Sequence, residues 1–146
     1  DDLQKKIKIP IISMPKEVYL HTKKNCKRNS KIGILATDAT LKTGVYNKFF
    51  DKDYVLVKPS KFLQKNSINK AIKYVKMGRV KDAEKVIKSA IKYLIKKKCK
   101  KIILGCTELP IAIFAFKSFK KVKLSKIFLD PNLILANVSM KKYKSL

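Results

Sequence analysis

Two short apolar runs constrain this chain more than any other feature. Residues 31–36 read Lys-Ile-Gly-Ile-Leu-Ala, and residues 101–105 read Lys-Ile-Ile-Leu-Gly. Each is short, bounded by polar residues and shows no alternation of polar with apolar. Such runs read as strands covered on both faces, the condition of a parallel sheet. Between them lies a pattern of the other kind. Ala83, Val86, Ile87, Ala90, Ile91, Leu94 and Ile95 recur at helical spacing, with lysines on the opposite side. A parallel pair needs a crossover of this sort, because a tight turn cannot return the chain to the same end of the sheet.

The rest of the chain continues the alternation. Residues 7–14 form an apolar run broken by Pro10, read as a strand, and 16–29 read as a helix and loop. Thr37-Asp38-Ala39-Thr40 supply capping side chains, so a helix is expected from there to about Phe50. A strand follows at 54–57, stopped by Pro59, then a helix over 61–76 with Gly78 as its C-cap. Pro110 suits the first turn of a helix over 109–119. Residues 127–129 read as a last strand, and Asp130-Pro131 opens a final helix. Regular alternation predicts an α/β fold, a mostly parallel sheet with helices on both faces.

Composition limits the functional classes. The 146 residues are 46% hydrophobic, enough for one α/β domain with a remnant of another. No apolar run reaches the roughly 18 residues of a membrane helix, so no membrane partner is expected. The start, Asp1-Asp2-Leu3-Gln4-Lys5-Lys6, has no signal-peptide pattern and no Met, as in a chain entered part-way through a longer one. The net charge is +26, and all 36 basic residues but Arg28 and Arg79 are lysines. Base readers and phosphate clamps draw on the bidentate fork of arginine. The lysines are also spread over nearly every segment, so they read as a solvated surface and nucleic acid is not the expected partner. A polyanion-binding surface is the alternative, concentrated at 96–101 and 117–126. Cys26, Cys99 and Cys106 form no CxxC pair, and His21, the one histidine, is remote from them, so no zinc site is expected. An odd cysteine count without a secretion signal predicts reduced thiols in a cytoplasmic protein.

Ligands of an open parallel sheet bind at the carboxyl ends of its strands. Two strands here end in reactive groups: one in Ala36-Thr37-Asp38-Ala39-Thr40, the other in Gly105-Cys106-Thr107-Glu108. Each leads into a helix start, where backbone N–H groups favour an anion such as a carboxylate. A cysteine so placed is expected to have its pKa lowered below the free value of roughly 8.5. The combination predicts a small anionic substrate and a thiolate. Each residue also has a plainer reading. Thr37 and Thr40 could serve only as caps, Lys76 as one more solvated lysine, Glu108 as a helix-start charge and Cys106 as a small core residue.

The segment Ile103-Leu104-Gly105-Cys106-Thr107-Glu108-Leu109-Pro110 closely resembles the second signature of the aspartate/glutamate racemase family. Ala112 is smaller than the side chain expected at its place. Gly33-Ile34-Leu35-Ala36-Thr37-Asp38-Ala39-Thr40, with Gly44-Val45-Tyr46, is similar to that family's carboxylate-binding turn. Ile72-Lys73-Tyr74-Val75-Lys76-Met77-Gly78 resembles a segment whose lysine binds the distal carboxylate of aspartate, and Leu129-Asp130-Pro131 resembles the family's last strand and helix.

The resemblance implies two similar Rossmann-like domains with a site in the cleft between them. Residues 29–122 would be one complete domain, and 1–28 and 123–146 a remnant of the other. It also implies cofactor-independent inversion of an acidic amino acid by two cysteines, in a family of homodimers, without metal or other cofactor. Cys106 would be one catalytic group. Thr37, Thr40, Lys76, Thr107 and Glu108 would bind or orient the substrate. The other cysteine, in a Cys-Asn-Thr type motif, is absent, and Cys26 is followed by Lys27-Arg28-Asn29 instead. The expectation is therefore a racemase fragment inactive alone, or a degenerate relative with a basic surface. Relatives acting on hydantoins, maleate or aryl malonates use similar motifs, and Lys76 favours a dicarboxylic substrate among these.

Overall fold

The structure, a computed structural model, describes residues 2–114 and 126–144. Its four strands are β1 (Lys31–Ala36), β2 (Val55–Val57), β3 (Lys101–Gly105) and β4 (Phe128–Leu129). They form one parallel sheet in the order β2-β1-β3-β4. From β1 the chain moves outward to β2, then returns across β1 to β3. The order therefore reverses between β1 and β3, the place where an open α/β sheet leaves a crevice at its carboxyl edge. Register brings the two strand ends level, with Ala36 opposite Gly105.

Around the sheet lie α1 (Asp2–Lys6), α2 (Met14–Asn25), α3 (Asp38–Thr43), α4 (Asn47–Phe50) and α5 (Lys61–Leu63). A π-helical turn, Gln64–Ile68, joins α5 to α6 (Asn69–Lys76). Then come α7 (Val80–Lys96), α8 (Glu108–Phe114) and α9 (Pro131–Tyr143). Alternate strand residues divide the core. Leu35, Ile102 and Leu104 meet Ile87, Ala90, Ile91 and Leu94 of α7 and Leu109 of α8. Ile32, Ile34, Ala36, Ile103 and Leu129 meet Val18 of α2, Phe50 of α4 and Ile134 of α9. Each fully buried large side chain contributes about 1.5–3 kcal/mol relative to exposure. A Cβ on Gly33 would stand 2.8 Å from Leu94 Cδ1, so glycine lets α7 sit close on β1. The segments 1–28 and 123–146 supply α2, β4 and α9 to this same sheet and core.

The structure departs from the sequence expectation in three places. Residues 7–13 form no strand. Pro10 lacks a donor, and the Gln4 side chain occupies the local backbone, donating to the Ile7 and Ile9 carbonyls and accepting from the Ile11 N–H. The helix expected from Thr37 to Phe50 is broken at Gly44, whose φ of 63° ends α3 before α4 starts. Helix 61–76 carries the π turn within it. Its end is as expected: Gly78 at φ 72° allows Gly78 N–H to reach Val75 O and Arg79 N–H to reach Tyr74 O, a Schellman closure. Most of the lysine run 117–126, and the end of the helix expected over 109–119, lie outside the described residues.

Candidate functional site

The site grows from the paired ends of β1 and β3. Thr37 leaves β1 in extended conformation and caps α3, its hydroxyl accepting from Thr40 N–H at 3.1 Å. The two threonine hydroxyls are 2.9 Å apart. Both side chains are half-buried at the rim. Across the register, Gly105 leads into a turn closed by Leu109 N–H on Cys106 O at 3.1 Å. A Cβ on Gly105 would lie 3.0 Å from Ala36 Cβ and 3.5 Å from the Tyr46 ring. Glycine there keeps the two turns close, while Tyr46 serves as buried packing.

Glu108 organises the second turn. Its Oε2 accepts from Cys106 Sγ at 2.8 Å and from Thr107 Oγ1 at 3.0 Å. From α6, Lys76 brings its ammonium to 3.6 Å from Glu108 Oε1. Lys76 is largely exposed, so this ion pair adds little to stability, but it places a cation at the mouth of the turn. Thr37, Lys76 and Met77 share a surface hollow of about 430 Å³ with Asp38, Ile72 and Lys73.

Electrostatics reverse one expectation. The Cys106 thiol is not acidified. Burial, then the hydrogen bond to Glu108, push it up to about 11. The same bond holds the Glu108 carboxyl below its ordinary range. Burial and the neighbouring carboxylate together outweigh the start of α8, which is only 7 residues long. Cys106 therefore rests as a thiol and is a proton donor. The other two cysteines are elsewhere. Cys26 and Cys99 precede β1 and β3, so both lie toward the amino ends of the strands, at the edge of the sheet opposite Cys106. His21 is exposed on α2, and Thr22 is buried, bonded to Val18 O. Among the described residues no group of three His, Cys, Asp or Glu side chains is placed to hold a metal, and no helix is long and apolar enough to cross a membrane.

Sequence reasoning missed Gln64 and Asn69. Gln64 is buried in the π turn and donates to Ala36 O and to Asn69 Oδ1, both at 2.9 Å. Asn69 in turn donates to Asp38 Oδ2 at 2.7 Å. The available signal was position: Gln64 falls on the same helical face as Ile68, Ala71 and Ile72, where an apolar residue is expected.

Comparison with known proteins decides the family. The sequence pattern described as Asp/Glu/Hydantoin racemase matches residues 1–137. The chain belongs to this racemase family. A glutamate racemase from Carboxydothermus hydrogenoformans is 28% identical over 126 residues, which cover 84% of this chain and 44% of that protein. An aspartate racemase homologue from Pyrococcus horikoshii superposes with a TM-score of 0.73 at 26% identity, over 92% of this chain and 56% of the other. Picrophilus torridus aspartate racemase shares the fold, with a TM-score of 0.64 at 24% identity over 82% of this chain and 47% of its own. This racemase-family chain thus spans about half the length of the relatives it matches. Its conserved fold places the Cys-Thr-Glu turn at the sheet's carboxyl edge.

Proposed function

We propose that this chain supplies one face of a cofactor-independent racemase site for an acidic amino acid, aspartate or glutamate. The observation that carries the reading is the register of Ala36 with Gly105, which sets the Thr37–Thr40 turn beside the Cys106–Glu108 turn. Thr37 and Thr40, with the open N–H groups at the start of α3, receive the α-carboxylate. Lys76 meets the distal carboxylate. Thr107 and Glu108 orient the thiol and the substrate ammonium. Cys106, resting protonated, returns a proton to the planar α-carbon. In the opposite direction its thiolate removes that proton, and a thiolate of such high pKa is a strong base.

Inversion needs a second acid–base group on the other face of the α-carbon. Cys26 and Cys99, at the amino ends of the strands, cannot serve. That group is assigned to a cysteine outside this chain, on a second similar domain closing the cleft. The test is proton NMR of L-aspartate, and separately L-glutamate, incubated with the chain in D2O under reducing conditions, with Cys106→Ser as control. The reading predicts no D-amino acid from this chain alone. D-product that disappears in Cys106→Ser would place both groups within this chain and overturn the half-site. D-product that survives Cys106→Ser would remove Cys106 from the chemistry.

One observation favours a second reading, a basic surface for polyanions. Lys81, Lys85, Lys88, Lys92 and Lys96 fall on one stripe of α7, only partly offset by Asp82 and Glu84. Binding to any nucleic acid that persists at physiological salt would support it, with a slope tracking the phosphates contacted. Loss of binding at that salt would remove it.

A further inference from the structure

One buried side-chain atom among the described residues has no hydrogen-bond partner, and it lies against the proposed site. It is Oε1 of Gln64. Its isolation follows from charge. The Asp38 carboxylate can only accept, so Asn69 must turn its amide nitrogen toward it, at 2.7 Å. That leaves Asn69 Oδ1 facing Gln64. Gln64 must then present its own nitrogen, whose two hydrogens go to Asn69 Oδ1 and to Ala36 O, both at 2.9 Å. The amide oxygen is turned into a place with no donor. Rotating the amide would not satisfy it, because it would set the oxygen against two acceptors and lose both hydrogen bonds.

A buried acceptor without a donor costs stability, and such a group in a native fold needs a reason. The π turn that carries Gln64 is a second costly feature, of a kind found often at functional sites. Both serve the same short stretch of chain. Ala36 is the last residue of β1, Asp38 the first of α3, and Thr37 lies between them. We infer that Gln64 and Asn69 are positioning residues, a clamp that grips the turn on both sides of Thr37 so that the Thr37 and Thr40 groups hold a substrate carboxylate. This rests on the racemase reading, which supplies the ligand. The clamp itself stands on the hydrogen-bond relay.

Two variants of the full chain test it. Gln64→Leu removes both donors and the isolated oxygen together. Asn69→Ala cuts the link to Asp38 at a half-buried position outside the hydrophobic core, and leaves one Gln64 hydrogen without its acceptor. Two readouts are taken: L-aspartate affinity by NMR titration, and hydrogen exchange at the Thr40 amide without ligand. The expected result is faster Thr40 exchange in both variants, and affinity lower by between about tenfold and a hundredfold, the usual scale for misplaced positioning groups. The melting temperature falls modestly for Asn69→Ala, since the chain stays folded while one buried Gln64 donor loses its partner. Unchanged exchange in Asn69→Ala overturns the clamp, whatever Gln64→Leu does to folding. If the parent binds neither aspartate nor glutamate, the racemase reading falls, while the exchange result still decides whether the clamp exists.

Discussion

Replacing Glu108 by glutamine should make Cys106 more acidic. The thiol is pushed up to about 11, first by burial, then by its hydrogen bond to Glu108, with the Glu108 charge adding to both. At pH 8 that leaves about 0.1% thiolate, since each pH unit below the pKa is a factor of ten. Glu108→Gln removes the charge and the strong acceptor but leaves the burial. The pKa should therefore fall and stay above the ordinary thiol value. A fall of one pH unit in the midpoint raises the thiolate tenfold. Lower intrinsic nucleophilicity gives back roughly threefold, so iodoacetamide should react about three times faster at pH 8. The assay is the rate of alkylation of the Cys106 peptide against pH, read by mass spectrometry so that Cys26 and Cys99 do not interfere. Lys76→Ala should move the midpoint slightly upward, because the ammonium favours the thiolate. A parent midpoint at or below the ordinary thiol value would refute the reasoning, as would a midpoint in Glu108→Gln that stays put or rises.

Three further outcomes follow from the same geometry. Gly105→Ala should cost about 1–3 kcal/mol in denaturant melts, because its Cβ would stand 3.0 Å from Ala36 Cβ and 3.4 Å from Leu35 O. Asp130→Ala should cost about 1 kcal/mol, since Asp130 caps α9 by accepting from Asn132 N–H at 2.9 Å and Leu133 N–H at 3.4 Å. Acid should destabilise the fold through two carboxylates held below their ordinary range: Asp53 by hydrogen bonds from Tyr19 and Arg28, and Glu108 by that from Cys106. The folded chain then binds fewer protons than the unfolded one, so this stability is present above the ordinary carboxylate pKa and lost as pH falls through the lowered values. Thermal melts against pH should show it, and Glu108→Gln should flatten part of the loss.

The elements easiest to read in the sequence were those with a single demand on them. Residues 31–36 and 101–105 are apolar on both faces, and only an interior parallel strand uses such runs, so β1 and β3 were legible along with the helix between them. The 7–13 segment misled because its apolar residues satisfy a strand pattern, while Pro10 and the Gln4 side chain decide its backbone. Gly44 was read only within a motif, and its positive φ, which ends α3, was missed, so the helix was expected to run on to Phe50. Among the candidate residues, the placement of Cys106, Thr107, Glu108, Thr37 and Thr40 at the sheet's carboxyl edge was legible because they follow strand ends. The raised pKa of Cys106 was not, because it depends first on how deeply the thiol is buried and then on where Glu108 points, and a two-residue spacing fixes neither. Gln64 was hidden for the same reason: its partners Ala36 and Asn69 are 28 and 5 residues away, and only the fold brings all three together.

The most direct test of the account is an amide-resolved NMR titration of the chain with L-aspartate at physiological salt. The account predicts saturable shifts gathered at Thr37–Thr40, at Cys106–Glu108 and around Lys76, with none along the lysine stripe of α7. Shifts spread over the basic surface, or a response equal to that given by chloride, would contradict it.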